Sequence, residues 1–328
     1  MNRPKNYKLI TTLNISNKNL TELPSWVSEC NKLENLNCSN NKLTQIDNLP
    51  PTLKELNCNN NKITNLNNLP QTLTKLYCTN NQIIQLDNLP PTLKELNCTN
   101  NQIIQLDNLP PTITKLYCIG NKITNLNNLP PTLEILECQR NSITQLDYLP
   151  KSITHLSCGN NKLTQLDNLQ ETLERLERLE CCNNNITNLD NLPKTLKQLY
   201  CIGNKITHLD KLPQTLKKLS CGYNNIINLD NLPKTLEILH CQSNKITHLN
   251  NLSPILEELY CGYNKITQLD NLPHALKILD CVNNQITQMD NLPKTVNSLW
   301  CIHNLFEYEF EPTLENIRNY NNKNKLPT

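Results

Sequence analysis

Fourteen of the sixteen cysteines fall on a ruler. Cys38, Cys58, Cys78, Cys98, Cys118, Cys138 and Cys158 are 20 residues apart, and after a slip of three the series resumes at Cys181, Cys201, Cys221, Cys241, Cys261, Cys281 and Cys301. A fixed period of this length over most of 328 residues demands a stack of like units, each burying its apolar edge against its neighbours. The chain therefore reads as one elongated array, where its length alone would suggest about two domains. The slip lies in Leu173-Glu-Arg-Leu-Glu-Arg-Leu179, where one phrase is written twice. We expect a bulge there on the outer side, because Leu179-Glu-Cys181 restores the inner pattern.

The unit is legible in Leu53-Lys-Glu-Leu-Asn-Cys-Asn-Asn-Asn-Lys-Ile63 followed by Thr-Asn-Leu-Asn-Asn-Leu-Pro70. Leu56 and Cys58 alternate with Asn57, the period of a strand buried on one face. Asn61 recurs in every unit, and a stacked amide has the donors and acceptor needed to satisfy turn backbone groups. Ile63, Leu66 and Leu69 supply further inward anchors. Proline closes most units, from Pro50 to Pro293, and it removes a donor and disfavours helix before it. The return path is thus expected to be extended or polyproline-like. Asp47, Asp87, Asp107, Asp147, Asp167 and their later counterparts alternate with asparagine, which points to a side-chain oxygen capping the turn before Leu-Pro.

The ends depart from the unit. Residues 1–12 read as a flank, 13–306 as the solenoid and 307–328 as a cap and tail. Pro24-Ser-Trp-Val-Ser-Glu29 has room for one or two helical turns with Trp26 and Val27 inward. Beyond Asn304 the chain's few aromatics gather at Phe306, Tyr308, Phe310 and Tyr320. The spacing of Leu314 and Ile317 predicts a short helix begun at Pro312, with a loose tail from Asn321.

Cysteine in such a ladder acts first as a small apolar side chain. Adjacent strands lie ~4.8 Å apart with parallel side chains, which leaves Cβ atoms farther apart than a disulfide prefers, and a straight row cannot surround a metal. Free thiols follow, and Cys182, at an outward position, is the one most open to oxidation. No run of ~18 apolar residues occurs, and a net charge of +2 offers nucleic acid no basic stripe. The reading is a chain in a reducing, cytoplasmic setting, which includes a host-cell cytoplasm, without membrane insertion and without a cofactor.

The string Leu-x-x-Leu-x-Cys-x-x-Asn-x-Ile, here Leu53 to Ile63, resembles the defining segment of leucine-rich repeats. The short unit with Asn-Leu-Pro-Pro-Thr-Leu is similar to the bacterial-effector type of the YopM and IpaH proteins and to repeat proteins of giant DNA viruses. The resemblance implies a predominantly β, α/β-class solenoid. It would be a horseshoe with one parallel sheet of about 15 short strands, little helix, and a concave face that binds a macromolecule. No ubiquitin-ligase domain follows the repeats, so that activity is not carried over.

Binding is sought where the repeat leaves residues free. The position before each ladder cysteine varies, and with the residues beside it provides Tyr77, Tyr117, Tyr200, Tyr223, His240, Tyr260, Tyr263 and Trp300 as candidate partner-binding residues; Tyr and Trp are enriched at interface hot spots. No nucleotide loop, zinc-protease motif or nucleophile elbow is present. The sequence thus points to a non-enzymatic protein-interaction scaffold. Two alternatives stand beside it: an effector-like regulator of a host protein, and the recognition subunit of an enzyme whose catalytic part is on another chain.

Overall fold

A computed structural model describes residues 3–166 and 169–324. The chain divides into two compact units, Met1–Lys162 and Leu163–Thr328. Among the described residues there are fifteen strands, each of three residues, all parallel within their unit and neighbouring in chain order. The first unit carries β1 (Thr12–Asn14), β2 (Asn35–Asn37), β3 (Glu55–Asn57), β4 (Lys75–Tyr77), β5 (Glu95–Asn97), β6 (Lys115–Tyr117), β7 (Ile135–Glu137) and β8 (His155–Ser157). The second carries β9 (Arg178–Glu180), β10 (Gln198–Tyr200), β11 (Lys218–Ser220), β12 (Ile238–His240), β13 (Glu258–Tyr260), β14 (Ile278–Asp280) and β15 (Ser298–Trp300).

Register follows the sequence period. Leu36 stands opposite Leu56, and Leu56 opposite Leu76, so identical side chains stack. In the repeat that carries β3, Leu53, Leu56, Cys58 and Ile63 are fully buried, and Leu66 and Leu69 nearly so. Each such leucine contributes roughly 1.5–3 kcal/mol relative to an exposed one. Because each repeat contacts only its neighbours, the core is a thin ribbon of repeated apolar rungs.

The asparagine after each cysteine closes the turn, as expected from its amide. Asn224 donates from Nδ2 to the carbonyls of Cys201, Cys221 and Gly222 at 3.0, 3.0 and 3.1 Å, and its Oδ1 accepts the N–H of Ile206 at 3.0 Å. One side chain thereby satisfies backbone groups in two successive repeats.

The outer path is made of turns and extended segments, without helix in the regular repeats. The N–H of Leu53 donates to the carbonyl of Pro50, closing a turn over Pro51 and Thr52. The threonine then stitches repeats together: the Thr72 hydroxyl donates to the carbonyls of Pro51 and Leu53 at 2.7 and 2.8 Å. Two residues in most repeats adopt left-handed backbone, for example Asn60 at φ 55° and Asn68 at φ 62°. Asparagine dominates both positions because it tolerates this region better than other side chains do.

Two expectations need correction. The aspartates do not cap the turn among the described bonds. The local bond comes from the residue two earlier, as when Asn188 Oδ1 accepts the N–H of Asp190, whereas Asp107 accepts from Asn128 of the next repeat. Asp167 lies outside the described residues.

The three-residue slip lies ahead of β9 and outside the strand, as expected. It is absorbed as a single turn, α1 (Leu169–Thr172), that replaces the Leu-Pro corner, with Leu169, Leu173, Leu176 and Leu179 all fully buried. The duplicated phrase brought its own leucine, and burying that leucine costs less than exposing it.

At the C-terminus the helix α2 (Leu314–Asn324) starts after Thr313, whose hydroxyl accepts the N–H of Asn316. It runs past Asn321, which bonds the carbonyl of Met289, so that residue is not part of a loose tail. Tyr308 stacks on Phe310 at 4.7 Å, and its hydroxyl accepts the N–H of Met289. At the other end, Ser25–Glu29 forms a short 3-10 helix that turns Trp26 and Val27 inward, as the sequence suggested.

Candidate protein-interaction face

Strand alternation leaves the residues on either side of each central leucine facing away from the core. In the second unit the register lines up Glu180, Tyr200, Ser220, His240, Tyr260, Asp280 and Trp300 in one row. Of the candidates, His240 and Tyr260 are brought into contact, edge to face at 4.4 Å between ring centroids. Tyr200 is set apart from His240 by the small Ser220, and Trp300 from Tyr260 by Asp280. Trp300 is 50% exposed.

The charges of the row are organised around the rings. The Arg178 guanidinium lies 4.7 Å from the Tyr200 ring centroid and donates to Glu180 and Gln198, and the Lys218 ammonium lies 5.5 Å from the same ring. Burial raises the Tyr260 hydroxyl above its ordinary range, and Glu258 and Asp280 add to this. Burial, and then Lys218, hold the His240 imidazole below its ordinary value, so it favours the neutral form. His240 Nε2 and Gln242 Oε1 are buried without a hydrogen-bond partner.

Tyr223 and Tyr263 occupy the left-handed position two residues past the ladder cysteine, at φ 53° and 58°, where most repeats place asparagine. They are 62% and 59% exposed. A bulky side chain in this conformation costs energy that asparagine avoids. Their conformation could not be read from the sequence, but the interruption of an asparagine column was visible there.

In the first unit Tyr77 and Tyr117 stand on β4 and β6 with Asn97 between them. The Tyr77 hydroxyl donates to Glu95 at 3.2 Å and is pushed up to about 12, by burial first and by Glu95 next. Tyr117 is raised by burial and by the carboxylates of Glu95 and Glu137. These two are pinned among acids and half-buried, and are less available than the tyrosines of the second unit. Sequence reasoning missed Tyr148, left-handed at φ 60° and 80% exposed where other repeats carry asparagine. It also gave no part to Gln242. The sign was again a break in a column, Asp147-Tyr148 where the repeat writes Asp-Asn.

All sixteen cysteines are free thiols; Cys182 is partly exposed and the others are buried. No helix of the described residues is long and apolar enough to cross a membrane.

A family model described as Leucine Rich repeats (2 copies) matches residues 256–294. No curated protein matches the chain. Among solved structures it is similar to YopM of Yersinia pestis, described as a leucine-rich effector protein, with 32% identity over 89% of this chain and 88% of that one and a TM-score of 0.79. YopM of Yersinia enterocolitica is 31% identical, over 92% of this chain and 75% of that one, with a TM-score of 0.77. The functional domain of InlJ from Listeria monocytogenes, which includes a cysteine ladder, is 31% identical over 85% of this chain and 69% of that one, with a TM-score of 0.68.

Proposed function

The chain belongs to the leucine-rich repeat family, and from that premise we propose that it is a non-catalytic scaffold that captures a protein partner on the exposed strand face of its second unit. One observation carries this reading: a frame that otherwise repeats itself places Tyr200, His240, Tyr260 and Trp300 in one register, with strained and exposed Tyr223 and Tyr263 beside them. Aromatic side chains of this kind give large contact area at low entropy cost and dominate interface energetics. The core residues serve packing.

The similarity to YopM, described as an effector protein, favours a second form of the same reading, in which the captured partner is a host protein regulated by occupancy. A recognition subunit for an enzyme on another chain would use the same face. The mixed charge of the face, with Arg178 and Lys218 against Glu180, Glu258 and Asp280, supports a protein and not a nucleic acid as partner. The free thiols support a reducing compartment.

The test is affinity capture from lysate by the wild-type chain and by a Tyr200→Ser, Tyr260→Ser, Trp300→Ser variant, with circular dichroism to verify the fold. The variant is expected to lose its specific partner at unchanged ellipticity. Undiminished capture refutes the assignment.

A further inference from the structure

Strand β15 closes the sheet without closing its own core position. The central leucine is buried in each of the fourteen strands before it, from Leu13 to Leu279, whereas Leu299 is partly exposed. The cap covers the positions on either side. Val296 is fully buried and Cys301 nearly so; Arg318 of α2 donates to the carbonyl of Val296, and Cys301 Sγ donates to that of Pro312 at 3.0 Å. Between them the leucine is left uncovered.

The backbone of the same edge lacks partners. In the preceding repeat the N–H of Cys281 donates to the carbonyl of Trp300 and the N–H of Asn283 to that of Ile302, at 2.8 and 3.0 Å, and the carbonyl of Lys277 accepts the N–H of Asn297 at 2.8 Å. Their counterparts one repeat on, the N–H groups of Cys301 and His303 and the carbonyl of Asn297, have no backbone partner among the described residues. Ladder alternation turns the N–H and carbonyl of Leu299 to this open side too, because those of Trp300 serve β14. Such an edge is where an extended chain adds by main-chain bonds, with side-chain contacts choosing its sequence.

Those contacts are apolar at the strand and acidic beyond it. Trp300 is 50% exposed, and Ile302 and Leu305 are 60% exposed. A strand laid here covers them, and its inward residue fills the place beside Leu299, which calls for an apolar side chain. Past Leu305 the rings of Phe306, Tyr308 and Phe310 stack on one side, at 5.3 and 4.7 Å between successive centroids, so the alternating Glu307, Glu309 and Glu311 stand on the other. All three glutamates are exposed, and none is ion-paired among the described residues. A parallel strand that runs on along this path, as each repeat does along the one before, brings its following residues to these acids. Lysine or arginine there complements them.

We infer that the protein partner adds an extended segment to β15 as a further parallel strand, with an apolar residue against Leu299 and basic residues following it toward Glu307, Glu309 and Glu311. Because α2 closes the end of the core, a lone segment suits this edge better than the repeats of a second copy, which bring a core of their own. The inference rests on the partner being a protein held at the strand face of the second unit, and it names the segment that the edge of that face takes.

The probe is a synthetic peptide of about twelve residues, threonine alternating with valine or leucine and then lysines, titrated into the full chain by calorimetry. Saturable binding is expected with Kd on the order of 100 µM, together with slowed hydrogen exchange at the amides of Leu299, Cys301 and His303. Methylating the peptide nitrogens on one set of alternate residues should abolish binding, and methylating the other set should leave it within about twofold, because only one set faces the edge. Leu299→Pro removes an N–H that pairs with nothing in the fold, a change an edge strand tolerates. It should weaken binding at least about tenfold at unchanged circular dichroism. Glu307→Gln with Glu309→Gln, both at exposed positions, should weaken it about fivefold.

Equal effects of the two methylation sets, unaltered exchange at those amides, or equal binding of a peptide with its lysines placed first overturn the inference. So does a dimer of the chain alone that Leu299→Pro converts to monomer, which assigns the edge to a second copy. If the Tyr200, Tyr260, Trp300 variant loses its partner while the peptide does not bind the wild-type chain, the face stands and strand addition falls. If capture survives and the peptide does not bind, both fall.

Discussion

A ladder cysteine combines two properties that are rarely exploited together: it is small enough for a ribbon-thin core, and it is ionisable. Burial pushes the thiols of Cys38, Cys98, Cys138 and Cys221 up to about 12. The thiolate is the nucleophile, so these groups are inert while the chain is folded. Iodoacetamide at pH 8 is therefore expected to modify Cys182 in the native protein well before any ladder cysteine, and all sixteen thiols only after denaturation. Peptide mass spectrometry reads this directly, and native labelling along the ladder would contradict it. The ladder itself was legible from spacing alone, since a 20-residue period leaves one inward position per strand for it. The two left-handed positions per repeat were not, because asparagine is common in turns of every hand and only backbone geometry distinguishes them.

Among elements, the strands and corners follow from periodicity, while α1 and the threonine stitch do not. A duplicated Leu-Glu-Arg phrase can be looped out or wound in, and which occurs depends on whether its leucine finds a cavity; Leu176 did. The threonine stitch depends on where the preceding turn leaves its carbonyls, which no single repeat reveals. The terminal helix α2 closes the last repeat through contacts invisible in the sequence. Arg318 donates to the carbonyls of Lys294 and Val296, and Asn321 to that of Met289. Ending the chain after Leu305 removes these bonds and the Tyr308–Phe310 stack together. The expected result is a fall in Tm on the order of 10 °C, with hydrogen exchange accelerating first in residues 286–304. An unchanged melting curve would show that the end needs no cover. The candidate face was half legible: its aromatics could be named from the sequence, but the pinning of Tyr77 by Glu95 and the packing of His240 on Tyr260 required coordinates.

For the whole molecule the repeated thiol sets a pH limit. The ladder cysteines from Cys38 to Cys138 and from Cys181 to Cys301 have folded-state pKa values raised above their unfolded value near 9. The contribution of each is complete below that value and is lost as pH rises toward the folded one, because the unfolded chain releases the proton first. Each titrating thiol takes away about 1.4 kcal/mol per pH unit. Many such groups acting together predict constant stability up to about pH 8.5 and a steep collapse above it, measurable by urea unfolding across pH. Valine at two ladder positions should move the collapse to higher pH, and a flat profile to pH 11 would contradict the linkage. The asparagine turn carries a different consequence. Because Asn224 closes the turn at Ile206 in the repeat before its own, each repeat is completed by the one that follows it. During synthesis on the ribosome the newest repeat therefore always waits for its successor, and folding trails the emerging chain by one unit until the C-terminal segment arrives.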